Sequence, residues 1–216
     1  MRKCSKNSLL ITLPDYYRAF QVMHGILLNE DSVPHKACLF FANAGAEILT
    51  RHFKQPATPI AGAAFYLLHE GSASVLSFAD LSRGDVASHN QAFHAWVQCG
   101  EWAIDFMAPL FPEAIKDTGV DVKVPRKMFQ RNISNMAGSL NELSRSGDYF
   151  LAPNMELTNQ LQNNLTEKPA NADLVYIASR WFTKTPKKII KEIPISDAKG
   201  VLTKAKLSNT TIDGAW

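Results

Sequence analysis

Residues 91–107, QAFHAWVQCGEWAIDFM, constrain the fold more than any other stretch of the chain. Two runs rich in aromatic and apolar residues flank Cys99-Gly100, and a glycine in a two-residue turn readily adopts a positive φ. The pattern predicts a β-hairpin that turns at Cys99-Gly100. Because side chains alternate along a strand, one face of this hairpin is strongly apolar and should belong to the core. That face consists of Phe93, Ala95, Val97, Trp102, Ile104 and Phe106.

The other face of the predicted hairpin carries a histidine and a carboxylate. Its members are His94, Trp96, Gln98, Glu101, Ala103 and Asp105. A turn at Cys99-Gly100 places His94 directly across from Asp105, with Cβ atoms roughly 4.5–5.5 Å apart. The carboxylate can then hydrogen-bond the imidazole, which fixes its tautomer and stabilises its charged form, as a catalytic base requires.

Cys38 is the candidate nucleophile for this histidine. It lies in, or just before, the first turn of a predicted helix with apolar residues at Leu39, Phe40 and Ile48. The free N–H groups and the positive end of the dipole at a helix start stabilise a thiolate. A free cysteine is also common as a small buried hydrophobe, and Cys38 alone would fit that interpretation. Its place ahead of the strands and the His/Asp hairpin favours the nucleophile.

The N-terminal half follows an α+β pattern. Pro14 begins a predicted helix whose core stripe is Tyr17, Phe20, Met23, His24 and Leu27. Strands are predicted over residues 60–69 and 74–79, joined by a hairpin loop at 70–72. Gly62 would allow the cysteine helix to approach the sheet closely. We therefore expect N-terminal helices packed on an antiparallel sheet of about four strands.

The C-terminal half is predicted to be largely helical. Helices are expected over residues 125–145, 153–165 and 172–182, from apolar residues at helical spacing. Residues 187–195 mix two periods and fit either an edge strand or a short helix. The domain prediction is a catalytic unit over residues 1–183 and a basic C-terminal extension over 184–216, part of which we expect to be mobile.

The order of these features resembles the transglutaminase-like branch of the papain-like cysteine enzymes. A cysteine starting a buried helix, then strands, then HAWV on one strand and Ile-Asp on the next carry the resemblance, which spans about residues 34–109. Bacterial transglutaminase-like proteases, arylamine N-acetyltransferases and lasso-peptide maturation proteases share this order. The resemblance implies a papain-like core in which Cys38 is the nucleophile, His94 the base and Asp105 the residue that orients the base.

Two departures limit what the resemblance implies. The position of a papain-like glutamine, six residues before the cysteine, holds Ser32. We therefore expect the oxyanion to be bound by the backbone N–H of Cys38 and a side chain from residues 29–35. The Arg-Gly-Gly-X-Cys run of the N-acetyltransferases is absent, which counts against that activity. The expected function is hydrolysis, deamidation or transamidation of a peptide, protein or small amide substrate.

Two other kinds of site stay open. His35 and Cys38 have the spacing of a metal-ligand pair, and His94 and Cys99 could complete a zinc site. Against that site, Cys99 lies about five residues from His94, roughly 15 Å along a strand. The same fold could also serve as a binding module without turnover, since no side-chain oxyanion donor is identified.

Composition bounds the partners and the compartment. The chain has 216 residues, 46% of them hydrophobic, which is enough for one domain with a sizeable core. No apolar run reaches the roughly 18 residues of a membrane span, and three cysteines favour reduced thiols, so we expect a cytoplasmic protein. No phosphate loop or dinucleotide fingerprint predicts a cofactor.

The charge is concentrated near the C-terminus. From Arg180 onward the chain holds eight basic and three acidic residues, whereas its net charge is only +3. These lysines are scattered among few aromatic residues after Phe182. A solvated surface therefore fits this tail better than a nucleic-acid contact.

The sequence predicts unequal cysteine reactivity. Cys38 should react with iodoacetamide near pH 6.5 far faster than Cys4 or Cys99, because the helix start and an imidazole stabilise its thiolate. Mass-spectrometric mapping of the native protein over time measures the three rates. Equal alkylation of all three cysteines would contradict the assignment of Cys38 as the nucleophile.

Overall fold

The computed structural model describes residues 9–69, 75–197 and 199–216. Within this part of the chain the helices are α1 (Leu13–Asn29), α2 (Cys38–Ile48), α3 (Phe111–Asp117), α4 (Met155–Thr166) and α5 (Pro169–Trp181). The strands are β1 (Thr58–Leu67), β2 (Val75–Phe78), β3 (His94–Cys99), β4 (Trp102–Asp105), β5 (Phe129–Asn132), β6 (Tyr149–Pro153), β7 (Glu192–Ser196) and β8 (Leu202–Lys206). The fold is α+β, as predicted. No helix among these residues is both long enough and apolar enough to cross a bilayer.

The two N-terminal helices form where the sequence predicts them. Thr12 caps α1 by accepting the N–H of Asp15, and Pro14 occupies its first turn. The α2 helix begins at Cys38 and continues into a π-helical turn that ends at Lys54, where φ is 57°. A cap and a proline therefore mark the start of α1, whereas α2 begins at Cys38 without a side-chain cap.

The strand β1 organises the main antiparallel sheet. Its residues 64–66 pair with both β2 and β6, and Gly62 pairs with both His94 of β3 and Pro153 of β6. Since a strand has two edges, β2 and β3 follow each other along one edge of β1 and β6 occupies the other. Residues 79–93 thus interrupt what would otherwise be one strand, which brings Phe78 next to His94. The loop predicted at 70–72 lies outside the described residues.

The β3–β4 hairpin exists, but its predicted register is wrong. Cys99 pairs with Trp102, so the two-residue turn is Gly100-Glu101, and Val97 faces Ile104 instead of Trp102. Gly100 has a φ of 57°, which meets the need for a positive φ in this turn. Because the shift moves each partner by two residues, every side chain keeps the predicted face of the sheet.

Both faces of the hairpin are buried. On one face Gly45 of α2 approaches Val97 and Phe106, and a Cβ at Gly45 would lie 2.3 Å from the Phe106 ring. On the other face Phe111 of α3 packs against Tyr66 of β1, with ring centroids 4.7 Å apart. The histidine and carboxylate predicted for this second face therefore lie in the interior of the protein.

The glycine at position 62 serves a different contact from the one expected. A Cβ there would lie 2.1 Å from the carbonyl oxygen of Ala152 on β6, so Gly62 permits close strand pairing. The close approach of α2 to the sheet depends instead on Gly45.

The C-terminal half is less helical than predicted. The helix expected over residues 125–145 is absent: this segment holds β5, which pairs with β4, and short 3₁₀ turns. Strand β6, which the sequence pattern does not predict, also joins the main sheet by pairing with β1. The helices expected over 153–165 and 172–182 are confirmed as α4 and α5. Residues 187–195 overlap β7, which pairs with β8.

The basic segment 184–216 packs on α1. The N–H of Ser208 donates to the carbonyl of Gln21, and a Cβ at Gly25 would lie 2.1 Å from the carbonyl oxygen of Lys206. The tail therefore contains the β7–β8 pair and contacts α1, although its sequence is polar.

A Gly62→Ala substitution should destabilise the protein by about 1–3 kcal/mol. Its methyl group would clash with the backbone of β6, which cannot shift without breaking its pairing with β1. Gly138→Ala is the control, since a Cβ there meets only the carboxylate of Glu142 at 3.2 Å. Urea unfolding of both variants measures the difference. Equal stabilities for the two variants would show that β1 and β6 are not held in close contact at Gly62.

Candidate active site

The candidate nucleophile is the first residue of α2. Cys38 follows Ala37, which offers no side-chain cap, so the N–H groups of the first turn lack a capping acceptor. The side chain of Cys38 is 8% exposed and forms no disulfide. A sulfur at this position meets the positive end of the helix dipole.

The candidate base is the first residue of β3. His94 is completely buried, and its Nε2–H donates to Asp105 Oδ2 over 2.6 Å. In the observed register the residue opposite Asp105 is Trp96, so His94 is a diagonal neighbour. Diagonal pairs on one face lie within reach of long or aromatic side chains. The predicted partnership therefore forms, although the predicted strand register does not.

The carboxylate of Asp105 receives two further hydrogen bonds. The Tyr66 hydroxyl donates to Oδ2 over 3.0 Å, and the backbone N–H of Met107 donates to Oδ1 over 2.9 Å. The Tyr16 hydroxyl donates to the backbone carbonyl of Asp105. The donors from Tyr66 and Met107 orient the carboxylate and satisfy its charge in a residue that is only 1% exposed.

Sequence reasoning missed both tyrosines. Tyr66 lies in a run of almost entirely apolar residues in β1. Nothing in the sequence indicates that its hydroxyl has a hydrogen-bonding role. The helical spacing in α1 predicts Tyr17 for the core stripe, yet Tyr16 is the tyrosine that is fully buried. Only the pairing of β1 with β3 and the packing of α1 on the sheet reveal their role.

Three aromatic rings enclose the imidazole. Phe78 stacks on it with centroids 4.4 Å apart and planes 22° apart, Tyr66 lies edge-on at 5.9 Å, and Phe111 lies at 6.2 Å. Removal of water by these rings strengthens the electrostatic interaction between His94 and Asp105.

The electrostatics of the pair favour a charged imidazole. Burial by itself disfavours the imidazolium, but the charge and hydrogen bond of Asp105, with a smaller contribution from Cys38, raise the pKa of His94 from 6.5 to about 10. Burial, together with the charge of Asp105, holds the pKa of Tyr66 well above its usual value. At neutral pH, His94 is thus protonated and Tyr66 is neutral.

Nδ1 of His94 is the ring nitrogen that remains available for proton transfer. Asp105 occupies Nε2, and Nδ1 makes no hydrogen bond of standard geometry to a described residue. The Cys38 side chain lies near enough to the ring to contribute to its raised pKa. Catalytic contacts are often long or poorly aligned before substrate binds. All three predicted site residues are therefore brought together.

The alternative zinc ligands are not assembled. His35 Nε2 bonds Asp117 Oδ2 over 2.8 Å, and Cys99 lies at the far end of β3 from His94. Across the described ranges, no group of three or more His, Cys, Asp and Glu side chains could hold a metal ion.

Two of the side chains in residues 29–35 that could donate to an oxyanion are engaged elsewhere. The Asn29 amide donates to Thr203 Oγ1 and Glu30 Oε1, and the His35 ring is engaged with Asp117. The uncapped N–H groups at the start of α2 remain the donors that the described structure offers near Cys38.

The pH dependence of stability should reveal the His94–Asp105 pair. Because the folded-state pKa of His94 is raised, the stabilisation is fully present below pH 6.5 and is lost as pH rises towards 10. The free energy of unfolding should therefore fall between pH 6.5 and 9 in the wild type, and Asp105→Asn should flatten this dependence.

Urea titrations across that range, together with an NMR titration of the His94 ring, measure both quantities. Restricting the range to pH 9 limits contributions from tyrosine ionisation. An imidazole that titrates near pH 6.5 in the wild type would contradict the charged pair.

Three comparisons relate this chain to known proteins. No curated protein matches it. A crystal structure described as that of genomics APC5867 is 35% identical to this chain, with a TM-score of 0.86, and the match covers 99% of this chain and 100% of that one. The family model for DUF2026, described as a protein of unknown function, matches residues 12–216. The chain therefore belongs to the DUF2026 family.

Proposed function

We propose that this protein is a cysteine-dependent acyl-transfer enzyme that uses Cys38, His94 and Asp105. One observation carries the proposal. His94 is fully buried and donates its Nε2–H to Asp105 over 2.6 Å, while its Nδ1 has no hydrogen-bond partner among the described residues and lies beside the cysteine that begins α2. A histidine needed only for packing would not require an aligned carboxylate together with a free nitrogen.

The protonation state of His94 determines its role in the reaction. Since its pKa is raised to about 10, His94 begins as an imidazolium and stabilises the Cys38 thiolate. The thiolate attacks the substrate carbonyl and forms a C–S bond. As the C–N bond breaks, Nδ1–H gives its proton to the leaving amine, and a thioester and a neutral imidazole remain.

The second half of the reaction restores the enzyme. Neutral His94 takes a proton from water or from an acceptor amine, whose oxygen or nitrogen attacks the thioester carbonyl. The C–S bond breaks, and the thiolate and imidazolium return. Water yields hydrolysis or deamidation and an amine yields transamidation. The substrate is a peptide, a protein or a small amide.

The start of α2 is the proposed oxyanion site. The N–H of Cys38 and its first-turn neighbours have no capping side chain, and the dipole of an 11-residue helix favours negative charge there. Such donors can stabilise the oxyanion of the tetrahedral intermediate without reorganisation.

The chain order supports a transglutaminase-like core. A cysteine begins a buried helix, the histidine begins the third strand, and the aspartate ends the fourth strand of an antiparallel sheet. This is the order expected from the sequence resemblance, and it is the basis for proposing papain-like chemistry here.

A non-catalytic binding module is the second candidate, because the site is closed. His94 is 0% exposed and Cys38 is 8% exposed, so a carbonyl carbon reaches the sulfur only after some side chains move. In that alternative the buried pair serves only to stabilise the fold.

Acetylation by p-nitrophenyl acetate separates these two functions. The enzyme should release p-nitrophenol in a burst and carry one acetyl group on Cys38, which peptide mapping locates. Asp105→Asn should slow acylation on the order of 10²–10⁴-fold, because the imidazole loses its orientation and charge. Asp85→Asn, on the exposed loop between β2 and β3, is the matched control and should acylate at the wild-type rate.

Ile104→Asn provides a folding comparison one residue away. Its side chain is fully buried, so the amide should cost stability on the order of a few kcal/mol. Absence of an acetyl group from Cys38 in the wild type, with Cys38 still accessible to iodoacetamide, would favour the binding module.

A further inference from the structure

The second strand has an open edge that lines a cleft. Among the described residues, β2 pairs with β1 alone. Three consecutive residues of β2, Val75, Leu76 and Ser77, line the same cleft. Because successive side chains point to opposite faces, three neighbours can line one cleft only along the strand edge. The cleft therefore lies beside the unpaired backbone groups of β2.

The opposite wall is an extended segment that follows α3. Val120, Val122 and Val124 line the cleft at every second position, whereas Asp121 and Lys123 are exposed. Residues 120–124 therefore alternate as an extended segment with one apolar side does, although they are not part of a β-strand. We call the space between β2 and residues 120–124 the edge slot.

The edge slot is small and largely apolar, with His69, Ser77 and Thr118 as its polar lining residues. Its volume is about 230 Å³. Pockets for drug-sized ligands or cofactors usually enclose about 300–1,000 Å³. Leu68 and Ile115 add further apolar lining. A space of this size and chemistry suits one or two aliphatic or aromatic side chains.

The same two elements connect the slot to the imidazole of His94. Phe78 and Phe111 contact the ring, while Leu76 and Ile115 line the slot. Leu76 is two residues from Phe78 along β2, about 7 Å, and Ile115 is one helical turn from Phe111, about 6 Å. Leu76 pairs with Tyr66, so it lies on the sheet face that carries His94. The slot thus continues the wall of the candidate active site.

We propose that the edge slot binds an extended peptide segment of the substrate through an apolar side chain, beside the candidate active site that would attack its amide. This inference rests on the proposed function and narrows its substrate class from amides in general to peptides.

An open strand edge favours a peptide over a small amide. Its unpaired N–H and C=O groups can form main-chain hydrogen bonds with an added strand, while a side pocket selects alternate side chains. A small amide has no backbone to use these groups. Lining by four valines and three other aliphatic residues, against the three polar residues His69, Ser77 and Thr118, disfavours charged side chains at the same position.

Peptide binding to Cys38→Ala protein tests the slot without turnover. The probes are fluorescein-labelled pentapeptide amides that differ only in a central Leu, Phe, Ser or Asp, and fluorescence anisotropy measures their affinity. The Leu and Phe peptides should bind at least about tenfold more tightly than the Asp peptide, as expected for burial of one apolar group. Val122→Trp, which fills the slot, should abolish this preference.

Two further variants distinguish filling of the slot from misfolding caused by a large substitution. Val120→Phe acts at a residue that is 45% exposed and should weaken binding with little effect on folding. Lys123→Trp places the same large ring as Val122→Trp at a neighbouring residue that does not line the slot, and it should bind peptides like the parent protein. Thermal unfolding of each variant verifies that it is folded.

The outcomes separate the slot from the chemistry. Equal affinity for the Leu and Asp peptides, no peptide binding, or unchanged preference in both slot variants would overturn the proposal. So would a concentration-dependent dimer that Val122→Trp dissociates, because a second copy would then occupy the edge. If peptides bind as expected while p-nitrophenyl acetate fails to acetylate Cys38, the slot stands and the proposed function fails. If Cys38 is acetylated but no peptide binds, the proposed function stands and the slot fails.

Discussion

The buried hydrogen bond between His94 and Asp105 is the interaction on which the rest of the structure depends. Removing two charged groups from water is costly, and their attraction compensates only when the geometry is good and the remaining lone pairs are satisfied. Here Nε2 lies 2.6 Å from Oδ2, and Tyr66 and Met107 supply the other donors. Loss of either partner would leave an uncompensated buried charge, at about 3–5 kcal/mol. The strands that carry these groups must therefore keep their register.

The interrupted strand beside β1 explains why an aromatic ring lies against the imidazole. Strand β2 ends at Phe78, β3 begins at His94, and both pair with the same edge of β1. Residues 79–93 leave the sheet between them, closed by bridges at Asp80–Ala87 and His89–Ala92. The excursion brings two side chains that are distant in sequence into contact, with centroids 4.4 Å apart. It also leaves the far edge of β2 without a strand partner among the described residues, which creates the edge slot.

The same burial that stabilises the fold would prepare the site for the proposed chemistry. Aromatic rings exclude water from His94, so the charge of Asp105 acts at low dielectric and raises the pKa of the imidazole. An imidazolium held in place needs little reorganisation to stabilise a thiolate and then to donate its proton. Helix α3 contributes Phe111 to this enclosure and Ile115 to the edge slot. Movement of α3 or β2 would therefore affect both the enclosure of His94 and the proposed peptide subsite.

The sequence alone determined the local features: the starts of α1 and α2, the existence of the β3–β4 hairpin, the helices α4 and α5, and the shared face of His94 and Asp105. These depend on caps, turn residues and side-chain period, which act over a few residues. Only the tertiary structure decided the turn at Gly100-Glu101, the β5 strand inside a predicted helix, and the roles of Tyr16 and Tyr66. Strand pairing determines these features, because β5 is stabilised by β4 and the tyrosines reach Asp105 from elements 39 and 89 residues away. Alternation has a period of two, so a two-residue register shift preserves the face of each side chain but changes its partner.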